Sequence, residues 1–140
     1  MGEPFSVEMR VRGYETDAQG HLNTAVYLQY AEHARWEILR VAGIRQADLI
    51  ADGIGPVNLE TTIRFRKELR AGDAVLVSCA FVWGTGKTFQ VEQQFTTPEG
   101  ELVAEVTGVG GLMDLTARRL VAEPGERFRV LAADPGLLGL

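Results

Sequence analysis

Apolar and polar residues alternate from Phe5 to Val11, with Ser6, Glu8 and Arg10 between Phe5, Val7, Met9 and Val11. Period two predicts a half-buried strand, which Gly13 ends. A polar stretch follows, TDAQGHLN, residues 16–23. From Thr24 to about Val41 the period changes. Tyr27, Ala31, Ala34 and Ile38 recur at helical spacing, and Gln29, Glu32, His33, Glu37 and Arg40 fall mostly on other faces. Asn23 is a suitable N-cap and Gly43 a natural C-terminal stop. The small Ala31 and Ala34 would let this helix lie close against a sheet.

The rest of the chain reads as antiparallel strands. DGIGPVN (52–58) is expected to be a loop, and a strand then carries Ile63 and Phe65. After the turn RAGD (70–73), one long strand is expected through Val75, Val77, Cys79, Phe81 and Trp83. GTGK (84–87) turns the chain into a strand with Phe89, Val91, Gln93 and Phe95. TPEG (97–100) leads to a last strand from Glu101 to about Leu115, with glycines at 108, 110 and 111. From about 124 to 140 the chain is weakly patterned, and its ADPGLLGL end is expected to be disordered. One strand, one long helix and several strands make an α+β pattern, in a single domain spanning residues 1–140.

Composition narrows the function classes. The chain has 140 residues, 46% apolar and 24% charged, with a net charge of −5. That length suits one core. A mildly acidic chain offers no general attraction to nucleic acid or to an anionic membrane. No apolar run approaches the ~20 residues that span a bilayer. The acidic start MGEPFSVEMR does not read as a signal peptide, although Gly2 and Ser6 match a short acylation pattern that chance often produces. A single cysteine, Cys79, excludes a disulfide framework and makes a cytoplasmic location the expectation. Cys79 alternates with apolar residues and reads as core. Two histidines and one cysteine make no zinc pattern, and the glycine clusters lack the spacing of phosphate loops, so neither metal nor cofactor is expected. A Gly-x-Ser-x-Gly elbow is absent.

The segment VRGYETDAQGHLNTAVYLQYAEHARWEIL (11–39) resembles the signature of the hotdog-fold acyl thioesterases of the 4-hydroxybenzoyl-CoA thioesterase type. The places that carry the likeness are Asp17, Gly20, His21, Leu22, Asn23, Tyr27, Tyr30, Glu32 and Arg35. IRFRKELRAGDAVLV (63–77) and GELVAEVTGVGGLMDLTARR (100–119) are similar to the strands that follow, so the likeness extends to about Pro124. Two features differ from many relatives. Arg12 is followed by Gly13, with the aromatic at Tyr14, and Thr24 stands where Asn is often repeated. The VRGYETD form is similar to relatives that cleave acyl groups from acyl carrier protein, among them plant methylketone-pathway thioesterases.

The resemblance implies an antiparallel sheet around one long central helix, and a catalytic Asp17. Asp17 would act as general base or as nucleophile on an acyl-CoA or acyl-carrier-protein thioester. Backbone N–H groups at the helix start, Asn23 to Ala25, would polarise the carbonyl. Gly20 would leave room for a close approach, and His21 would orient water or Asp17, or serve structurally. Tyr27 would wall the pocket. Gly86 and Thr88, in GTGKTF (84–89), would reach the cleft from a partner chain, since the family forms homodimers and homotetramers. Glu32 and Arg35 would pair along the helix or anchor it. Arg64, Arg66, Lys67, Arg70 and Lys87 are candidates for CoA phosphates or an acidic carrier. Two other functions compete: a hotdog dehydratase or hydratase, which would want a His with a helical carboxylate, and a non-catalytic acyl-thioester-binding module, which would tend to lack Asp17.

Overall fold

The computed structural model describes residues 4–140. Gly2, half of the acylation pattern, lies outside them. Strand β1 (Ser6–Arg10) leads through a short 3-10 turn, Gly13–Glu15, to helix α1 (Thr24–Val41). Helix α2 (Gln46–Ala51) precedes strand β2 (Ile54–Phe65). Then come β3 (Ala74–Ser78), β4 (Ala80–Trp83), β5 (Thr88–Thr96), β6 (Leu102–Asp114) and β7 (Arg119–Leu120). Helix α3 (Pro124–Leu131) and a 3-10 helix, Pro135–Leu138, close the chain. The strands form one antiparallel sheet in the order β1-β3-β5-β6-β2, with β4 against β5 and β7 against β6. The fold is α+β, and none of the described helices is long and apolar enough to cross a membrane.

Three expectations need correction. DGIGPVN is not a loop: β2 begins at Ile54 and Gly55–Asn58 pair with Met113–Gly110 of β6. Pro56 is tolerated because β2 ends the sheet, where a missing N–H costs no ladder bond. The long strand through Trp83 is two strands, broken at Cys79, whose N–H turns to the Phe5 carbonyl at 3.1 Å. The C-terminal stretch is ordered: Phe128 and Leu138 are buried, and the Trp83 indole N–H donates to the Leu138 carbonyl at 2.7 Å. These contacts bridge distant parts of the chain and leave no local period.

Helix α1 follows its sequence pattern. Asn23 Oδ1 accepts the Ala25 N–H at 2.9 Å, and Tyr27, Tyr30, Ala31, Ala34, Ile38 and Leu39 are buried. Gly43 stops it in the left-handed region, at φ +98°. The core has two apolar clusters. Tyr27 to Ala34 belong to one, with Val75, Val77, Phe95 and Val103. Ile38 to Ala42 belong to the other, with Phe89, Leu112, Phe128 and Leu138. Between the helix and the sheet, the buried Gln93 side chain donates to the Ala31 carbonyl at 2.8 Å. It also accepts from the Arg35 guanidinium at 3.3 Å.

Candidate active site

The polar stretch between the first 3-10 turn and α1 is a tight loop organised around Asp17. Its N–H donates to the His21 carbonyl at 2.8 Å, and its carbonyl accepts the Gly20 N–H at 3.0 Å. Its Oδ1 accepts two further backbone donors, Gln19 N–H at 2.9 Å and His21 N–H at 3.1 Å. Among the described residues, Oδ2 has no hydrogen-bond partner. One carboxylate oxygen is held and the other faces outward. Gly20 sits at φ +78°, where an L side chain is strained. A Cβ there would meet only Arg70 Nη1 at 3.9 Å, so the turn requires the glycine and crowding by the chain does not.

The loop is anchored on both sides. Leu22 N–H donates to Leu69 O at 2.7 Å and Asn23 N–H to Glu15 O at 2.9 Å. Glu15 is held in turn by the Tyr30 hydroxyl at 2.5 Å and the Arg12 N–H at 2.8 Å. Burial pushes the Glu15 carboxyl up, but these donors and the Arg12 charge outweigh it, and the group sits below the ordinary carboxylate range. Tyr30 moves the other way, raised by burial and by the Glu15 carboxylate. Residue types alone gave little sign of Glu15.

Most donors at the start of α1 are therefore already used. Gly20, His21 and Asn23 N–H groups bond within the loop or to Glu15, and Ala25 N–H goes to its cap. Among the described residues only Thr24 N–H, of the five positioning candidates, is left without an acceptor. It lies at the positive end of the helix dipole. Asp17, His21, Thr24 and Tyr27 line one open pocket of about 340 Å³, closed on the other side by Phe65, Arg66, Lys67 and Glu68. The Tyr27 ring packs edge-on against Phe65 at 5.1 Å, and burial raises its hydroxyl pKa.

Gly86 and Thr88 do not reach this pocket within one chain. They line a groove with Trp83, Pro124 and Arg129 instead. Arg35 bonds Gln93 rather than pairing with Glu32, and His33 is exposed. Arg66, Lys67 and Arg70 are already paired with Glu105, Glu101 and Glu68 at 3.3, 2.7 and 3.8 Å. Cys79 is buried, its thiol pushed up to about 12 by desolvation, so it is no nucleophile at neutral pH.

Residues 11–133 match the thioesterase-like superfamily, and the chain belongs to it. It is 34% identical over 116 residues to the chloroplastic acyl-acyl carrier protein thioesterase ATL3 of Arabidopsis thaliana, covering 81% of this chain and 60% of that one. The chain thus spans about 60% of that plant relative's length. It is 29% identical over 127 residues to the long-chain acyl-CoA thioesterase FadM of Escherichia coli, covering 87% and 92% of the two. A hypothetical protein of Aquifex aeolicus superposes with a TM-score of 0.82 at 28% identity, over 91% of this chain and 99% of the other.

Proposed function

We propose that the protein is a hotdog-type acyl thioesterase that hydrolyses an acyl-CoA or acyl-carrier-protein thioester to free acid and thiol. The observation that carries this reading is the division of labour at one loop. Asp17 keeps Oδ2 free while its Oδ1 is fixed by two N–H groups, and Thr24 N–H is the spare donor at the helix start. A thioester carbonyl seated on Thr24 N–H is polarised by that donor and by the helix dipole, which also steady the oxyanion that forms. Asp17 Oδ2 then takes a proton from water as it attacks, or attacks itself to give an anhydride that water opens. Thiolate leaves readily, so no strong acid is needed. Gln19, Gly20 and His21 aim the carboxylate; Asn23 and Ala25 close the cap and leave Thr24 as the donor. Tyr27 walls the acyl side.

The enzyme is proposed to work as a homodimer or homotetramer, because Gly86 and Thr88 join a carboxylate pocket only if a second copy supplies them. The outer strand β2 is the natural seam, with Leu59 and Phe65 about half exposed on an edge that pairs on one side only. A cytoplasmic location fits the same reading.

The test is thiol release from a panel of acyl-CoA and acyl-carrier-protein substrates, for wild type and Asp17→Asn. The asparagine keeps an oxygen for the Gln19 and His21 N–H groups, so the variant should fold while its rate falls by about 10²–10⁴. A folded variant with an unchanged rate sinks the assignment. Single turnover in ¹⁸O water separates the two routes: attack by Asp17 can leave label in the enzyme, and base catalysis puts it all in the acid.

A further inference from the structure

The Asp17 pocket is mostly polar, and one apolar side chain in it is left exposed. Asp17, His21, Thr24, Arg66, Lys67 and Glu68 make up the polar lining. Leu22 and Tyr27 line it too, but each is only 3% exposed and has little surface to offer. Phe65 is 49% exposed. Among the described residues, the other large apolar side chains that stay exposed, from Tyr14 to Val130, lie outside this pocket. The Phe65 ring is held on two sides. Its backbone pairs with Ala104 at the end of β2, and the next two N–H groups, of Arg66 and Lys67, both turn to the Val103 carbonyl at 2.8 and 3.1 Å. The ring meets Tyr27 edge-on at 5.1 Å, and Tyr27 packs in turn on the fully buried Phe95 at 5.5 Å. That floor is closed. An apolar chain entering at Asp17 cannot pass Tyr27 into the core, and the surface left to it is Phe65.

We propose that Phe65 is the side chain that reads the acyl group, and that it sets which chain lengths the Asp17 pocket prefers. That the chain belongs to a thioester about to be cleaved rests on the proposed function; the contact itself does not. An acyl chain laid on the ring takes apolar surface of both out of water. A pocket of about 340 Å³ holds roughly ten groups the size of a water molecule, enough for a thioester head and a chain of about six carbons. The ring is fixed before the chain arrives, so the contact costs little ordering. A two-carbon acyl group has a single methyl to lay against it and gains least.

The experiment is a ¹H–¹⁵N NMR titration with S-ethyl-pantetheine and S-hexyl-pantetheine. These thioethers carry the arm common to CoA and carrier protein and cannot be hydrolysed. Wild type should bind the hexyl probe about tenfold more tightly than the ethyl probe, with shifts at the Phe65 and Thr24 amides. Phe65→Ala should remove that preference while ethyl binding stays within about twofold, and Phe65→Leu should keep part of it. A merely structural role would weaken both probes alike. Leu59→Ala, on the same strand but outside the pocket, should leave the preference intact, which separates the contact from the β2 seam. A preference that survives Phe65→Ala, an equal loss for both probes, an equal effect of Leu59→Ala, or a hexyl probe that does not bind would each overturn the proposal. A Phe65-dependent preference in a protein that releases no thiol from any acyl thioester keeps this contact and removes the catalytic reading alone. Thiol release with a chain-length profile untouched by Phe65→Ala does the reverse.

Discussion

Glu15 makes no direct contact with the outward-facing carboxylate oxygen of Asp17, yet it braces the loop that carries it. Its carbonyl takes the Asn23 N–H and its side chain takes the Tyr30 hydroxyl. Because the folded carboxyl is held below its ordinary range, its contribution is complete above that range and is lost as the pH falls through the folded value. Glu15→Gln should therefore melt earlier than wild type at pH 7, by about 1–2 kcal/mol, and the gap should close in acid. Thermal melts across pH check this, and a gap independent of pH would contradict it. At this scale the sequence was uneven. The Asn23 cap was readable, because an amide side chain just before a helical period is a local pattern. The donor census was not, since which of five N–H groups stays free depends on partners such as Glu15 and Leu69 that no spacing reveals.

Elements with a local period were legible, and those without one were missed. Helix α1 has caps at both ends and a stripe between them, so its bounds could be read directly. Helix α2 has six residues and one buried side chain, Leu49, too few to show a period. Helix α3 takes its burial from Phe128, which meets Phe89 and Trp83 across the fold. The stop of α1 depends on Gly43 more than on its neighbours. At φ +98° a side chain is already strained, and a Cβ would come within 2.8 Å of Ala133 Cβ and 3.0 Å of Ala133 N. Gly43→Ala should cost about 1–3 kcal/mol, read as a lower denaturant midpoint at an unchanged slope. Wild-type stability would mean that the C-terminal stretch yields freely there.

For the whole molecule, one edge of the sheet asks for cover. Strand β2 is twelve residues long and pairs only with β6, with a bulge at Asn58/Glu60 beside the exposed Leu59. A lysine is a standard way to blunt such an edge. On the proposed assembly, in which a second copy supplies Thr88, Leu59→Lys should shift sedimentation toward the monomer and lower the rate of thiol release with it. An unchanged assembly and rate would place the seam elsewhere. The α+β order of elements was visible in the sequence; which strand ends the sheet was not, since the order β1-β3-β5-β6-β2 is set by pairings between distant segments.

The two apolar clusters meet on α1, with Ala34 in one and Ile38 in the other. Strands β5 and β6 divide the same way, Phe95 and Val103 on one side and Phe89 and Leu112 on the other. Strand β3, with Val75 and Val77 in the first cluster, and helix α3, with Phe128 in the second, each lean on β5, which carries both. The molecule thus has no half that can melt alone. Amide protons in the middle turns of α1 should exchange only through global unfolding, at one common slow rate in hydrogen–deuterium exchange. Separate rates for Ala31 and Ile38 would mean two units where the packing makes one.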